Sequence, residues 1–149
     1  MKAAVLTEYG HIEWKDVPIP VIGDSDALVK VTYASICGSD QHVFRGQFHP
    51  RSKLPLIQGH EFVGVIAETG KNLRGYKPGD RVAVDSIYWC GKCPACERKH
   101  WPACVSLKLA GIDSDGGFAE YAAVRDFMLY AIDPRVSDRH AALIEPYSI

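Results

Sequence analysis

The chain has 149 residues, 47% hydrophobic and 23% charged, with a formal net charge of −1. That is the size and composition of one globular domain with a buried core, and the balance of 17 basic and 18 acidic residues argues against an electrostatic nucleic-acid or membrane-surface binder. No basic then apolar leader opens the chain and no apolar run approaches about 18 residues, so a cytoplasmic location is the default.

Short β signals dominate the first half. Residues 1–9 (MKAAVLTEY) and 27–36 (ALVKVTYASI) carry alternating or continuous apolar residues with β-branched content, and each predicts a strand. Residues 62–70, 80–89 and 117–125 predict three more in the same style. Turn formers separate them at 18–26, 75–80 and 113–117. Such punctuation points to a mainly β antiparallel barrel or sandwich rather than a βαβ array. Helical signal is scarce until 137–145 (SDRHAALIE), where Ser137 is placed to cap an Ala/Leu/Ile run. The chain stops at Ile149 inside an apolar stretch with a helix under way, which reads as a cut before a second domain.

Four of the five cysteines stand in the loop 89–105: Cys90, Cys93, Cys96 and Cys104, spaced C-x2-C-x2-C-x7-C. In a chain without a secretion signal, clustered thiols read as metal or redox groups before disulfides. Two residues between cysteines let one tight turn aim both sulfurs at a common point, and four thiolates complete a tetrahedral zinc shell. With every position filled by protein, such a site is structural. A ferredoxin-type cluster calls for a C-x3-C-P continuation where this chain has seven residues. A redox pair calls for a βαβ context that is missing. Lys92, Arg98 and Lys99 stand ready to offset thiolate charge.

A second group is dispersed. Cys37, Ser39, Asp40 and His42 lie in ASICGSDQH, His60 and Glu61 in GHEFVGV, and Glu145 in LIEPYSI. Singly, each has a plain explanation: a small buried thiol, a core or surface histidine, a capping or solvated acid. Together, Cys, His and Glu form a ligand inventory for a metal with an open position.

The ordered set GHE, GVIAETG, KPGDRV, the cysteine loop and GGFAEY resembles the medium-chain zinc-dependent alcohol dehydrogenases, over nearly the whole chain. The resemblance implies a GroES-like, partly open β-barrel with short helices, spanning residues 1–149 as a zinc-binding catalytic domain. It also implies two Zn2+ per chain. Cys37 and His60 match catalytic zinc ligands. Glu61 matches an adjacent glutamate that ligates zinc or steps in during ligand exchange. Glu145 takes the place of the third ligand, a cysteine in ethanol-type members, which leans towards the sorbitol, polyol or threonine dehydrogenase branch. Ser39 matches the hydroxyl that bonds the substrate alkoxide, His42 the outer end of a proton relay, and Asp40 the acid that orients the zinc-ligating histidine. Hydride would pass from a small-molecule alcohol or polyol to NAD or NADP. No G-x-G-x-x-G run exists in this sequence, so the resemblance places a Rossmann domain after residue 149. It further implies a homodimer or homotetramer with neither nucleic-acid nor membrane partners.

Two other classes compete: a non-catalytic zinc-binding regulatory module with the same barrel, and a co-chaperonin-like barrel. The intact Cys37, Ser39, His42, His60 and Glu145 count against the first, and metal-site residues have no purpose in the second. Phe44, Arg45, Phe48 and His49, or Tyr88 and Trp89, are candidates for lining a substrate cleft.

Overall fold

The computed structural model describes residues 1–148; Ile149, the end of the apolar stretch, lies outside them. Ten strands run in chain order: β1 (Lys2–Glu8), β2 (His11–Asp16), β3 (Asp26–Ser35), β4 (Leu56–Ile57), β5 (Glu61–Thr69), β6 (Arg81–Val84), β7 (Ile87–Tyr88), β8 (Lys108–Leu109), β9 (Tyr121–Arg125) and β10 (Leu129–Ala131). Four short helices accompany them: α1 (Gly38–Phe44), α2 (Pro94–Glu97), α3 (Asp138–Ala141) and α4 (Ile144–Ser148). The main sheet has the order β10-β6-β5-β3-β9, a second sheet β2-β1-β4, and β7 pairs with β8.

β5 sits at the centre, and Glu61 to Gly64 are all buried. That explains its continuous apolar run: a strand covered on both faces has no reason to alternate. It pairs antiparallel with β3, from Ala27 against Thr69 to Ser35 against Glu61, with Thr32 bulged out opposite the Gly64/Val63 step. A Cβ on Gly64 would sit 2.2 Å from the Lys30 carbonyl oxygen, so the glycine is required by the close approach of the two strands. The principal core gathers Val29, Phe62, Ile66, Val82, Val84 and Met128.

The predicted strand 117–125 is one extended segment serving two sheets. Its first part bonds to β1 (Ala4 N–H to the Phe118 carbonyl, 2.8 Å; Glu120 N–H to the Lys2 carbonyl, 3.0 Å). Its second part, β9, pairs with β3. This hand-over joins the sheets into a mainly β, partly open barrel.

Two expected elements are broken, each for a visible reason. The run 80–89 divides at Asp85, whose Oδ1 accepts from the Ile87 N–H at 3.0 Å and turns the chain. The helix expected over 137–145 begins as read, with the Ser137 hydroxyl accepting from the His140 N–H at 3.4 Å, but stops at Ala141. Pro146 has no N–H, and its ring would clash with the carbonyl of Ala142 in a continuous helix. A new helix, α4, therefore starts at Ile144 and holds Pro146 in its first turn.

Candidate metal centres

The β3/β5 register builds the first centre. It sets Ser35 opposite Glu61, so Cys37, two residues past the end of β3, and His60, the one before the start of β5, emerge on the same side of the sheet end. Cys37 stands at the N-cap of α1, and His60 follows Gly59, whose φ is +92°. A Cβ at Gly59 would lie 2.4 Å from the Phe118 ring; only glycine both takes that backbone conformation and fits the space. Ligand atoms of Cys37, His60 and Glu61 all lie within 4.8 Å of one another, with His60 and Glu61 buried.

The surrounding groups fix these side chains. His60 Nδ1 faces Asp40 Oδ1 at 3.4 Å, and neither atom has another partner. Its Nε2 lies 3.2 Å from the Ser39 hydroxyl. The second Asp40 oxygen accepts from the Cys37 N–H at 2.9 Å, and the Gln58 amide donates to the Asp40 carbonyl at 2.8 Å. Ser35 donates to Glu61 Oε2. Burial works against a charged His60, yet the Asp40 carboxylate and the Cys37 sulfur outweigh it and raise the imidazole to about 9. Sulfur, imidazole and carboxylate groups thus converge on one largely buried point. A soft sulfur, an imidazole and a carboxylate suit zinc, and three such ligands leave a tetrahedral ion one open position.

Glu145, on α4, falls outside that 4.8 Å group, though it is near enough for His60 and Glu61 to influence it. Burial pushes its carboxyl up, with His60 opposing and Glu61 and Asp85 adding to the rise. Its Oε2 is buried without a partner. It lines a cavity of about 460 Å³ with Asp85, Ile87, Tyr130 and Ile144. His42 is exposed, one turn beyond Ser39 on α1, with Nδ1 hydrogen-bonded to the Gln47 amide oxygen.

The second centre is the cysteine loop. The Sγ atoms of Cys90, Cys93, Cys96 and Cys104 lie within 4.8 Å of one another. Cys93 to Cys96 is 3.5 Å and Cys90 to Cys96 is 4.0 Å, bracketing the separation of about 3.8 Å that a tetrahedron with 2.3 Å Zn–S bonds requires. Backbone donors point at the sulfurs: Cys90 N–H at 3.3 Å and Ser106 N–H at 3.4 Å both reach Cys104. The backbone N–H groups of Cys96 and Val105 hold the Cys93 thiol down to about 6, whereas burial and neighbouring Cys93 push Cys96 up to about 11. Four crowded sulfurs cannot all ionise without a cation between them, so the donor set fits zinc.

Of the proposed cleft-lining residues, Phe44 and Phe48 pack on the core around Leu6 and Val43, Arg45 and His49 are exposed, and Trp89 lines a small cavity with Asp85 and Tyr130. Tyr88 packs on the main core. Sequence reasoning missed Asp85 and Tyr130 in the cavity beside Glu145. Asp85 was visible as a lone acid interrupting the apolar run VAVDSIYW.

Residues 23–134 match the family model of the alcohol dehydrogenase GroES-like domain. The chain belongs to the zinc-dependent medium-chain alcohol dehydrogenase family. It is 41% identical over its whole length to the starvation-sensing protein RspB of Escherichia coli K12, covering 44% of that protein. It is 38% identical to a sorbitol dehydrogenase of Halalkalibacterium halodurans, with 98% of this chain and 43% of the relative aligned. Among solved structures, galactitol-1-phosphate dehydrogenase of Escherichia coli superposes with a TM-score of 0.91 at 31% identity, over 98% of this chain and 42% of its own. An Escherichia coli CFT073 alcohol dehydrogenase solved with NADH gives 0.91 at 36% identity, over 99% and 43%. The chain thus spans under half the length of the curated relatives it matches. Among the described residues no helix is long and apolar enough to cross a membrane.

Proposed function

We propose that this chain is the catalytic domain, over residues 1–149, of a zinc-dependent dehydrogenase that oxidises a secondary alcohol of a polyol-like substrate by hydride transfer to NAD or NADP. The nicotinamide cofactor is bound on a Rossmann domain outside these residues. Relatives more than twice as long, one of them solved with NADH, support that division. The observation that carries the reading is the convergence of Cys37, His60 and Glu61 with Asp40 behind the imidazole and Ser39 at its far nitrogen.

In this reading Cys37 and His60 would hold the catalytic zinc with Glu61 or Glu145 as the third ligand, and Cys90, Cys93, Cys96 and Cys104 would hold the structural one. Zinc, when bound, supplies a Lewis acid that lowers the pKa of an alcohol oxygen. Asp40 keeps Nδ1 of His60 occupied, so that Nε2 is the ligating nitrogen. Ser39 takes the proton of the substrate hydroxyl while passing its own towards His42, and the exposed His42 hands it on to water. A nicotinamide cofactor, when bound, would supply the acceptor for the carbinol hydrogen, which leaves with its electron pair. A small-molecule substrate, no nucleic-acid or membrane partner, a homodimer or homotetramer and a cytoplasmic setting complete the proposal.

The test is the full-length gene product screened with secondary alcohols, polyols, threonine and sugar acids. Zinc-dependent NAD(P) reduction that Cys37→Ser abolishes is expected. A protein that holds both metals yet reduces neither cofactor across the panel contradicts the proposal and favours the non-catalytic module.

A further inference from the structure

Beside the cysteine loop lies a second, smaller cavity of about 210 Å³. Its walls include Trp89, Trp101, Phe127 and Tyr130, and Asp85 is the one charged side chain that lines it. Trp89 is held by two rings: it stacks on Trp101 with centroids 5.4 Å apart and planes 18° from parallel, and packs against Phe127 at 4.1 Å with the planes tilted by 33°. Trp101 and Tyr130 nevertheless keep 41% and 55% of their surface exposed, so ordered aromatic faces remain available to a ligand.

The charge is unbalanced. Asp85 Oδ1 accepts from the Ile87 N–H, and among the described residues no Lys, Arg or His is within ion-pair distance of it. The small cavity shares Asp85, Ile87 and Tyr130 as a common wall with the larger one that holds Glu145. No described basic residue lines either cavity. Whole small-molecule ligands fill clefts of about 300–1,000 Å³; the larger cavity is in that range, and the smaller has room for a head group only. Aromatic faces beside an unpaired carboxylate attract an organic cation through ring quadrupole and charge together.

We propose that the cavity walled by Trp89, Trp101, Phe127 and Tyr130 and closed by Asp85 is a binding site for an alkylammonium group. Resting on the dehydrogenase reading, the substrate is then a polyol-like secondary alcohol that also carries a positively charged nitrogen, its ammonium head held by Trp101, Tyr130 and Asp85.

The test titrates this chain, with Trp14→Phe so that emission comes from Trp89 and Trp101 alone, with choline chloride, tetramethylammonium chloride, sodium chloride and 3,3-dimethyl-1-butanol, the uncharged isostere of choline. Saturable quenching by the two ammonium ions and not by the isostere or sodium is expected. Asp85→Asn keeps an acceptor for the Ile87 N–H while removing the charge, and should weaken choline by about tenfold with an unchanged melting temperature. Equal binding of the isostere, no saturable response to either ammonium ion, or undiminished choline binding in a folded Asp85→Asn protein overturns the site. In the full-length enzyme, turnover of neutral polyols in preference to amino alcohols overturns the substrate assignment while leaving the dehydrogenase reading intact.

Discussion

Asp40 holds two proposed zinc ligands with one carboxylate: Oδ1 faces His60 Nδ1 at 3.4 Å, and Oδ2 accepts from the Cys37 N–H at 2.9 Å. Residues far apart in the chain are thereby fixed in orientation by a side chain that need not touch the metal. Asp40→Asn keeps the shape and removes the charge. Partners of this kind are worth about 10–100-fold in metal affinity, and a loss of that order is expected at the Cys37 centre only. Competition against a graded chelator, read by cobalt absorption at each centre, measures it. An unchanged affinity at the Cys37 centre, or equal losses at both, contradicts the positioning role.

Gly59 carries His60 into place. Its φ of +92° and the 2.4 Å approach of a hypothetical Cβ to Phe118 combine backbone strain with overpacking. Gly59→Ala is expected to destabilise the fold by about 2–4 kcal/mol and to weaken metal binding at the Cys37 centre. Urea unfolding and metal titration of the same sample check both. A variant as stable as the wild type would show that the loop has room to relax.

The link between the loop after α1 and the turn after β8 is acid-sensitive. Arg51 donates to both oxygens of Asp113 at 2.8 and 2.7 Å, and the Leu109 N–H donates a third bond at 2.8 Å. Burial alone would raise the Asp113 carboxyl, but Arg51 and Leu109 outweigh it and hold it below its ordinary 3.8. A folded-state pKa below the unfolded one contributes stability that is complete above the unfolded value and is lost as pH falls through the folded value. With Arg51 partly solvated, the contribution is about 1 kcal/mol. The stability difference between wild type and Asp113→Asn should therefore be constant from about pH 5 to 7 and shrink below about pH 4. Urea titrations across that range test it, and a difference independent of pH contradicts it.

The strands of the main sheet were legible because burial writes itself into composition: β3 and β5 read as apolar, β-branched runs and appear within a residue or two of their expected limits. β2 was not, because an edge strand exposed on nearly every residue has no hydrophobic pattern to display. The cysteine loop announced itself by spacing. The Cys37 centre did not, since its ligands meet only through the β3/β5 register, and it was the family resemblance that gathered them. The break before Glu145 was legible in principle, as Pro146 stands four residues after Ala142. The aromatic cavity at Asp85 depends on loops meeting side by side and left only a lone acid in the sequence.

Two distinct zinc centres, one closed and one open, are proposed for this chain. Elemental analysis after zinc loading and gel filtration tests this proposal most directly, on wild type, Cys37→Ser and Cys93→Ser. Two zinc ions per chain are expected in the wild type and one in each variant, with the fold intact in Cys37→Ser and the loop around Trp89 loosened in Cys93→Ser. One zinc ion in the wild type, unaffected by Cys37→Ser, would contradict it.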